Sequence, residues 1–512
     1  LAIEPADREA MHRKLGMLFA QQRAVEGLGA AIIAQHLARG NARAEAANFY
    51  LEAASAALAS YQLVLAARYY RRAVKLAPRL DPSRLSAFEA LENIARIQGK
   101  WRDRRRYLAS LRQLARENEK PYWVAVALIR TARFDLDAGR LARGLTLAQK
   151  GEIVARTTHS ARLEVEAQLL MAEMLRDLGD MQGALAACDR ALDTAGRATV
   201  PARLRAEVLR AQGTLLLRVG RVQEAVEAHA DAIAVFRHAG ARRLEARAKN
   251  SLAFAMFVLS RFEDAIALGL EAIRIDLAIG GRFQIARTLA NIGRSFARLG
   301  DFPRARSYLS RAREAHQRYG DQDGRAETLL ATAEVLLEID ETAAATELVG
   351  DAGALTAVTG SAYDAVHEKI LRALLARKAG DSGAAVMHAF DGRQVAEAQA
   401  YVAFHFYAMA IEARARVDIG EHHTGILLAT TASGAIETIQ GSEYGLETRA
   451  LCCEALETAR SPQAPQMRER AEGHARTVRD SIRAGEFRRA FERRRIVIGL
   501  LGEPARDSSA AR

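Results

Sequence analysis

Histidines and cysteines are the residues of this chain that could bind a metal or act as nucleophiles, and their spacing argues against both roles. His422 and His423 are adjacent, whereas two histidines that bind one metal from a helix stand three or four residues apart. His388 and His405 fall in different predicted helices. Cys188 fits a small buried apolar position of a helix. We therefore predict no metal site and no bound cofactor.

Motifs of common catalytic centres are also missing from the sequence. No G-x-x-x-x-G-K-[ST] phosphate loop occurs, and the nearest fragment, Gly99-Lys100-Trp101, fits a turn between helices. No nucleophile elbow is present, and no Ser/His/Asp arrangement can be assembled. We expect no catalytic residue in this chain, so that any enzymatic module would precede Leu1. Because the chain begins with Leu, we expect a piece of a longer protein or a processed form.

The net charge of +12, from 74 Lys+Arg against 62 Asp+Glu, is concentrated near the end of the chain. Residues 460–512 contain 13 arginines against 7 acidic residues. Basic runs stand at residues 102–106 and 488–495. Either run could contact phosphate or an acidic partner, or could form a solvated helix face whose arginine stems cover apolar surface. The sequence favours the solvated face, and the mildly basic remainder argues against nucleic acid as the partner.

Localisation follows from what the sequence does not contain. The first residues are charged and include no apolar leader, and the longest apolar runs are far too short to span a bilayer. Three cysteines, of which Cys452 and Cys453 are adjacent, form no disulfide framework. These observations predict a cytoplasmic protein without membrane partners.

The elements that would position any site repeat at a fixed period. Only 9 of 512 residues are proline, and good helix formers are frequent, which excludes collagen-like, disulfide-rich and disordered classes. Each period fits two helices of roughly 15–18 residues joined by a turn. The turn residues recur at steps of 40 or 41 and are Gly99, Gly139, Gly179, Gly220, Ser260, Gly300, Asp340, Gly380 and Gly420.

Small residues flank these turns at constant offsets. Seven residues before eight of the turns, and five residues after them, every position is Ala or Gly. Small residues at both places let two antiparallel helices approach closely, so each period is predicted to be a helical hairpin. A single hairpin cannot bury its apolar face, and stacked hairpins form a solenoid. The positions before the turns are Ala132, Ala172, Gly213, Ala253, Gly293, Ala333, Ala373 and Ala413, and those after them are Gly144, Ala184, Ala225, Ala265, Ala305, Ala345, Ala385 and Gly425.

The segment from Thr288 to Ala305 resembles a tetratricopeptide repeat (TPR), because it carries the small residue, aromatic, Gly-Asp and Ala in that family's order. Residues 61–78 resemble the second helix and closing proline of such a repeat. The family usually repeats every 34 residues, so these units are about six residues longer. The resemblance implies an all-α, right-handed superhelical solenoid of about ten TPR-like hairpins with helical caps.

The two ends of the chain resemble parts of larger proteins. Residues 33–54 look like the join after the NTPase module of bacterial STAND or AAA-like signalling ATPases, which are often fused to serine/threonine kinases or nucleotide cyclases. Residues 481–501 resemble their C-terminal helix. We therefore predict an N-terminal helical adaptor over residues 1–40 and a TPR-like array over 41–460. A C-terminal Arg-rich helical cap over 461–501 and a disordered tail over 502–512 complete the expected organisation.

The resemblance places a partner-binding surface on the first helices of three consecutive repeats. Asn offers a donor and an acceptor, and Arg offers a bidentate fork, so this set suits a peptide backbone or carboxylate. Ordinary hydrated surface residues are the alternative. Glutamates in neighbouring repeats would make the groove alternate in sign, which favours protein over nucleic acid. These glutamates are Glu166, Glu173, Glu327, Glu334 and Glu338. The predicted set is Arg210, Arg247, Asn250, Phe254, Arg287, Asn291 and Arg294.

Three functions follow from the sequence. The leading one is a protein–protein interaction scaffold that serves as the sensor or regulatory region of a bacterial signalling ATPase or serine/threonine kinase. The second is a free-standing TPR adaptor that binds acidic or C-terminal peptides. The third is a basic helical array that binds nucleic acid.

Overall fold

Helices follow one another along the chain in antiparallel pairs. The computed structural model describes residues 4–26, 29–60, 62–279 and 281–503, and within them the regular elements are 26 helices and no strand. Residues 504–512, most of the predicted disordered tail, lie outside the described residues. The helices are α1 (Pro5–Glu26), α2 (Ala30–Arg39), α3 (Arg43–Ala59), α4 (Leu63–Leu76), α5 (Pro82–Ile97), α6 (Trp101–Glu117), α7 (Pro121–Asp137), α8 (Leu141–Thr157), α9 (Ala161–Asp177), α10 (Met181–Arg197), α11 (Ala202–Arg218), α12 (Val222–His238), α13 (Arg242–Val258), α14 (Phe262–Ala278), α15 (Arg282–Arg298), α16 (Phe302–Tyr319), α17 (Gln322–Glu338), α18 (Thr342–Thr359), α19 (Ala362–Lys378), α20 (Ser382–Ala398), α21 (Val402–Asp418), α22 (His422–Ile436), α23 (Gly445–Thr458), α24 (Ala464–Ser481), α25 (Gly485–Glu492) and α26 (Arg495–Leu501).

The turns within the hairpins stand where the sequence predicts them. All nine predicted turn residues have a positive φ, between 60° and 87°, and two of them, Ser260 and Asp340, are not glycine. This backbone region closes a helix with a left-handed residue and lets the chain reverse direction. The described helices from α3 to α22 alternate with these turns in the predicted order, and the predicted all-α solenoid of helical repeats is confirmed.

The sixteen small positions are all buried, which explains their size. A Cβ added to Gly425 would lie 2.9 Å from the carbonyl oxygen of Ala413, its counterpart before the turn. A larger side chain at either position would force the two helices of that hairpin apart. Close packing of the two helices in a hairpin thus depends on the small residues that recur at fixed distances from the turn.

The chain forms two compact units, one of residues 1–174 with 193–200, and the other of 175–192 with 201–512. In the first unit Arg104 is buried, although the sequence favours a solvated face for its run. Its Nε donates to Glu92 Oε1 at 2.5 Å, its Nη1 lies 2.7 Å from Asp137 Oδ2, and its guanidinium stacks over Phe134. The arginine at this small-residue position is therefore neutralised inside the hairpin pair instead of facing water.

In the second unit the C-terminal helices fold back onto the repeats. Phe491 and Leu500 belong to the same apolar core as Phe257, Phe296 and Val335, which lie on the first helices of three hairpins. Arg483 and the adjacent backbone N–H groups bind Glu263 and Asp264 at the start of α14. The C-terminal segment therefore contacts the middle repeats of this unit as well as the end of the array.

At Gly300 the C-terminal segment approaches a turn of the repeats closely. A Cβ on Gly300 would lie 2.4 Å from the carbonyl oxygen of Ala490 in α25, so only a residue without one fits this turn. Its φ of 80° independently favours glycine. The backbone at this turn therefore leaves room for the C-terminal segment.

Among the helices of the described residues, none combines the length and the apolar character that a membrane span needs.

Candidate functional site

The seven residues that sequence analysis assigns to partner binding line one cavity of about 540 Å³, which we call the groove cavity. They come from three first helices, α11, α13 and α15, which pack side by side in the second unit. The 40-residue period brings them together, because residues one period apart occupy equivalent places on successive first helices. A cavity of this size lies within the usual range for ligand sites.

One wall of the groove cavity is rich in arginine and amide groups. Arg247 and Arg287 are exposed and stand one period apart on α13 and α15. Asn291 Nδ2 donates to Asn250 Oδ1 at 3.1 Å, so the two amides are oriented by each other across adjacent repeats. Each amide keeps further hydrogen-bonding capacity, and the guanidinium groups offer forked donors. This wall can bind carboxylates and peptide groups.

Acidic groups line another part of the groove cavity. Asp323 and Glu327 project from α17, and Asp364 lies in the first turn of α19, where burial and the neighbouring Glu327 raise the pKa of its carboxyl to about 6. Asp276 is buried in the cavity wall as well, and burial raises its pKa to about 6. The cavity therefore presents both cationic donors and acidic groups. Of the carboxylates in the predicted alternation of sign, Glu327 lines this cavity, whereas Glu334 and Glu338 do not.

Arg294 differs from the other six predicted residues because its guanidinium is buried and bound by other side chains of this chain. Its side chain is 4% exposed, its Nη2 donates to Glu443 Oε2 at 2.6 Å, and its guanidinium lies 5.2 Å above the centre of the Phe257 ring. Tyr363 donates its hydroxyl to the same Glu443 carboxylate. Arg294 thus anchors the segment before α23, and it is committed to the fold at the edge of the cavity.

Later parts of the second unit close the groove cavity. Arg218 on α11 stacks 5.4 Å over the ring of Tyr401 at the start of α21, and the side-chain oxygen of Gln440 accepts from the backbone N–H of Gln223 at 2.9 Å. Because α11 and α21 are five hairpins apart in sequence, repeats that are distant along the chain line the same cavity. The cavity is therefore walled on several sides.

A buried ion network lies beside the groove cavity and fixes α23 against the repeats. It consists of Arg294, Arg298, Arg494, Glu334, Glu338, Glu443, Glu447 and His367.

Within this buried ion network, charge balance decides the ionisation of the carboxylates. Burial alone would raise the pKa of Glu447, but Arg298 and Arg494 outweigh that effect and hold the pKa below its usual value. Glu334 behaves in the same way, because burial is outweighed by Arg298 and His367. Tyr444 donates its hydroxyl to Glu334 Oε1 at 2.9 Å, so the carboxylate also gains a hydrogen bond. The network is thus charged and internally compensated.

Sequence reasoning placed Glu327 in the groove, one period after Arg287, but it missed other residues that line the groove cavity from outside the three assigned repeats. Tyr363 and Asp364 belong to α19, beyond the repeats that were assigned. Glu443 follows the last hairpin and has no counterpart at the period, so the sequence holds no signal that would place it there.

Comparison with known proteins agrees with this architecture. Residues 163–238, 244–317 and 284–352 match the family model described as tetratricopeptide repeat. No curated protein sequence matches the chain.

Solved structures similar to the chain include a Rap protein complexed with competence and sporulation factor, at 10% identity and a TM-score of 0.54, which covers 70% of this chain and 99% of the Rap chain. A STAND protein with a tetratricopeptide repeat sensor from Pyrococcus horikoshii is similar at 11% identity and a TM-score of 0.48, over 68% of this chain and 52% of that one. Residues 163–238 and 244–352 therefore match tetratricopeptide repeats, and the Rap structure agrees with an all-α repeat fold.

Proposed function

From the premise that these are tetratricopeptide repeats, we propose that the chain recognises a partner protein through a peptide segment bound in the groove cavity. The observation that carries the proposal is that the arginine and asparagine wall and the acidic groups line one cavity. A peptide segment with both acidic and basic side chains, or with a free terminus, satisfies both sets of side chains together. The Asn250 and Asn291 amides would bind its backbone.

The charge pattern also discriminates between classes of partner. Nucleic acid presents a continuous row of phosphates, which Asp323, Glu327 and Asp364 would repel. Among the basic residues near the C-terminus, Arg494 is buried and Arg483 is paired with Glu263 and Asp264, so these two are less available to phosphates. A protein partner is therefore the better match than DNA or RNA, and binding to nucleic acid would be weak and steeply dependent on salt.

The finer proposal concerns what the scaffold serves. We propose that it is the sensor or regulatory region of a larger bacterial signalling ATPase or serine/threonine kinase, which acts in the cytoplasm. The resemblance of residues 33–54 and 481–501 to the ends of such regions supports this role. A free-standing adaptor that binds acidic or C-terminal peptides is the alternative, and the same groove cavity would serve it.

The experiment selects short linear peptides from a displayed library on the full chain and compares variants. The triple variant Arg247→Ala, Asn250→Ala, Arg287→Ala is expected to remain folded and to lose the selected peptides, because these three side chains line the cationic wall. A matched control, Arg274→Ala, Gln317→Ala, Arg318→Ala, removes two arginines and one amide from exposed positions on α14 and α16. The control should bind as the wild type does.

Retention of the selected peptides by the cavity variant would contradict the proposal, as would equal loss in both variants. A titration with DNA and RNA at ~50 mM salt tests the nucleic-acid alternative, which a flat curve would reject. For the regulatory role, the array is deleted from the full-length protein. Unchanged activity of the upstream module would reject that role while leaving peptide recognition intact.

A further inference from the structure

A second cavity, of about 630 Å³, lies between the repeats and the C-terminal helices, and we call it the C-terminal cavity. The first helices α15, α17, α19 and α21 form one side of it, and α23, α24 and α26 form the other. It shares no lining residue with the groove cavity. Its volume is in the range of pockets that bury a small organic molecule.

Aliphatic side chains form one part of the lining of the C-terminal cavity. Burial also raises the pKa of the Cys453 thiol to about 12, so this cysteine stays protonated and offers no nucleophile. The cavity is therefore suited to hold an apolar body without reacting with it. The aliphatic lining residues are Val335, Leu371, Leu374, Leu451, Ile496 and Leu500.

One buried cation lies in the cavity wall, and its surroundings limit what can approach it. Arg298 is 8% exposed, and its Nε and Nη2 make no hydrogen bond within the described part of the chain. Its Nη1 lies 3.6 Å from Glu447 and its Nη2 lies 3.8 Å from Glu334. A third carboxylate beside these two would be repelled, so this part of the wall suits an uncharged acceptor such as a hydroxyl or carbonyl oxygen.

The more exposed part of the wall is cationic. Five basic residues line it, and Glu338, Asp418 and Glu454 are the acidic residues in the same part of the lining. The basic side chains pair with carboxylates of the same chain, as Arg377 does with Glu454 and Lys378 does with Asp340. Because these pairs are partly exposed to solvent and therefore weak, an incoming anion can compete for the basic groups. The five basic residues are Arg377, Lys378, Arg414, Arg468 and Arg495.

We propose that the C-terminal cavity binds an amphiphilic anion, with its aliphatic chain against the leucine-rich part of the lining and its acidic head beside Arg377 and Lys378. Such a molecule buries apolar surface, which is the main source of affinity, and places its charge where cations outnumber carboxylates. Because α26 forms part of the wall, the bound molecule also contacts the end of the C-terminal segment. The site is separate from peptide recognition and does not depend on it.

The test titrates the full chain by calorimetry with dodecanoate below its critical micelle concentration, and with dodecanol and dodecylammonium as probes of equal chain length. One molecule of dodecanoate per chain is expected, with affinity about tenfold or more above that of dodecylammonium, as one charge-assisted hydrogen bond would give. Failure of dodecanoate to bind, or equal binding of the cationic probe, would overturn the proposal.

Variants locate the site. Leu374→Trp should fill the cavity and abolish dodecanoate binding, whereas Leu427→Trp, at an exposed position on α22, should leave it unchanged. Should Leu374→Trp fail to fold, the double variant Arg377→Gln, Lys378→Gln decides the matter. That variant should weaken dodecanoate about tenfold without changing dodecanol binding. Binding of dodecanoate by this variant as tightly as by the wild type would contradict the placement of the head.

Discussion

Replacement of Arg494 by alanine should release the C-terminal segment from the repeats. Arg494 is 1% exposed, and its Nη2 donates to Glu338 Oε1 at 2.7 Å and to Glu447 Oε1 at 2.9 Å. Its Nη1 donates to the carbonyl oxygen of Arg298 at 3.2 Å. One side chain thus joins α15, α17 and α23 to the start of α26.

The magnitude follows from what the substitution leaves behind. Removing one partner of a buried ion pair costs about 3–5 kcal/mol, because the remaining charge is buried without compensation. Glu338 is 24% exposed and can regain water, and Glu447 keeps Arg298 at 3.6 Å. These remaining contacts place the expected loss at the lower end of the range, about 3 kcal/mol.

The neighbouring Arg495 provides the matched control. It is 62% exposed and pairs with Asp340, which is 42% exposed. Arg495→Ala removes the same side chain from the adjacent position, yet an exposed pair is worth only about 0–1 kcal/mol. Comparing the two variants therefore separates the effect of burying the ion pair from the effect of removing a positive charge.

Hydrogen–deuterium exchange of the full chain, read on peptides from α23 and α26, measures the local free energy of opening. A loss of about 3 kcal/mol for Arg494→Ala corresponds to exchange faster by about a hundredfold, while Arg495→Ala should change it by less than about tenfold. Equal exchange rates in the two variants would refute the view that the buried ion network holds the segment in place.

Three further predictions test the fold. Gly300→Ala should destabilise the chain more than Gly380→Ala does. Both glycines have φ near 80°, but only at Gly300 would the new Cβ meet a backbone oxygen of α25. Thermal unfolding of the two variants measures the difference in stability. His229 is buried and neutral, with its pKa lowered to about 3 by burial, so the unfolded chain binds a proton below about pH 6.5 that the folded chain does not. Stability should therefore fall as the pH drops from 6.5 towards 3, and His229→Met should flatten urea-unfolding midpoints over that window. Arg104→Ala should cost about 3–5 kcal/mol, and less in a Glu92→Gln background, which a double-mutant cycle would reveal; additive effects would contradict the buried pair.

Much of the candidate site could be predicted from the sequence because it lies on the repeat. Arg247 and Arg287 are one period apart and occupy equivalent places on successive first helices, so a periodic argument finds both. The same argument reaches Glu327 one period later. It does not reach Glu443, which follows the last hairpin and contacts Arg294 from 149 residues away. No local pattern encodes a contact of that separation.

The sequence by itself determined the hairpins, their number and their turns, since these depend on interactions within about 40 residues: a left-handed turn residue and two small residues that permit close helix packing. Even Ser260 and Asp340, which are not glycine, take the backbone conformation that their position in the period requires. The tertiary structure alone decided where the C-terminal segment lies and which arginines are buried. Arg494 and Arg495 are adjacent and chemically identical in the sequence, yet one is 1% exposed and the other 62%. Both pair with carboxylates that are distant in the sequence, and the packing of the C-terminal segment against the repeats buries one pair and leaves the other in solvent.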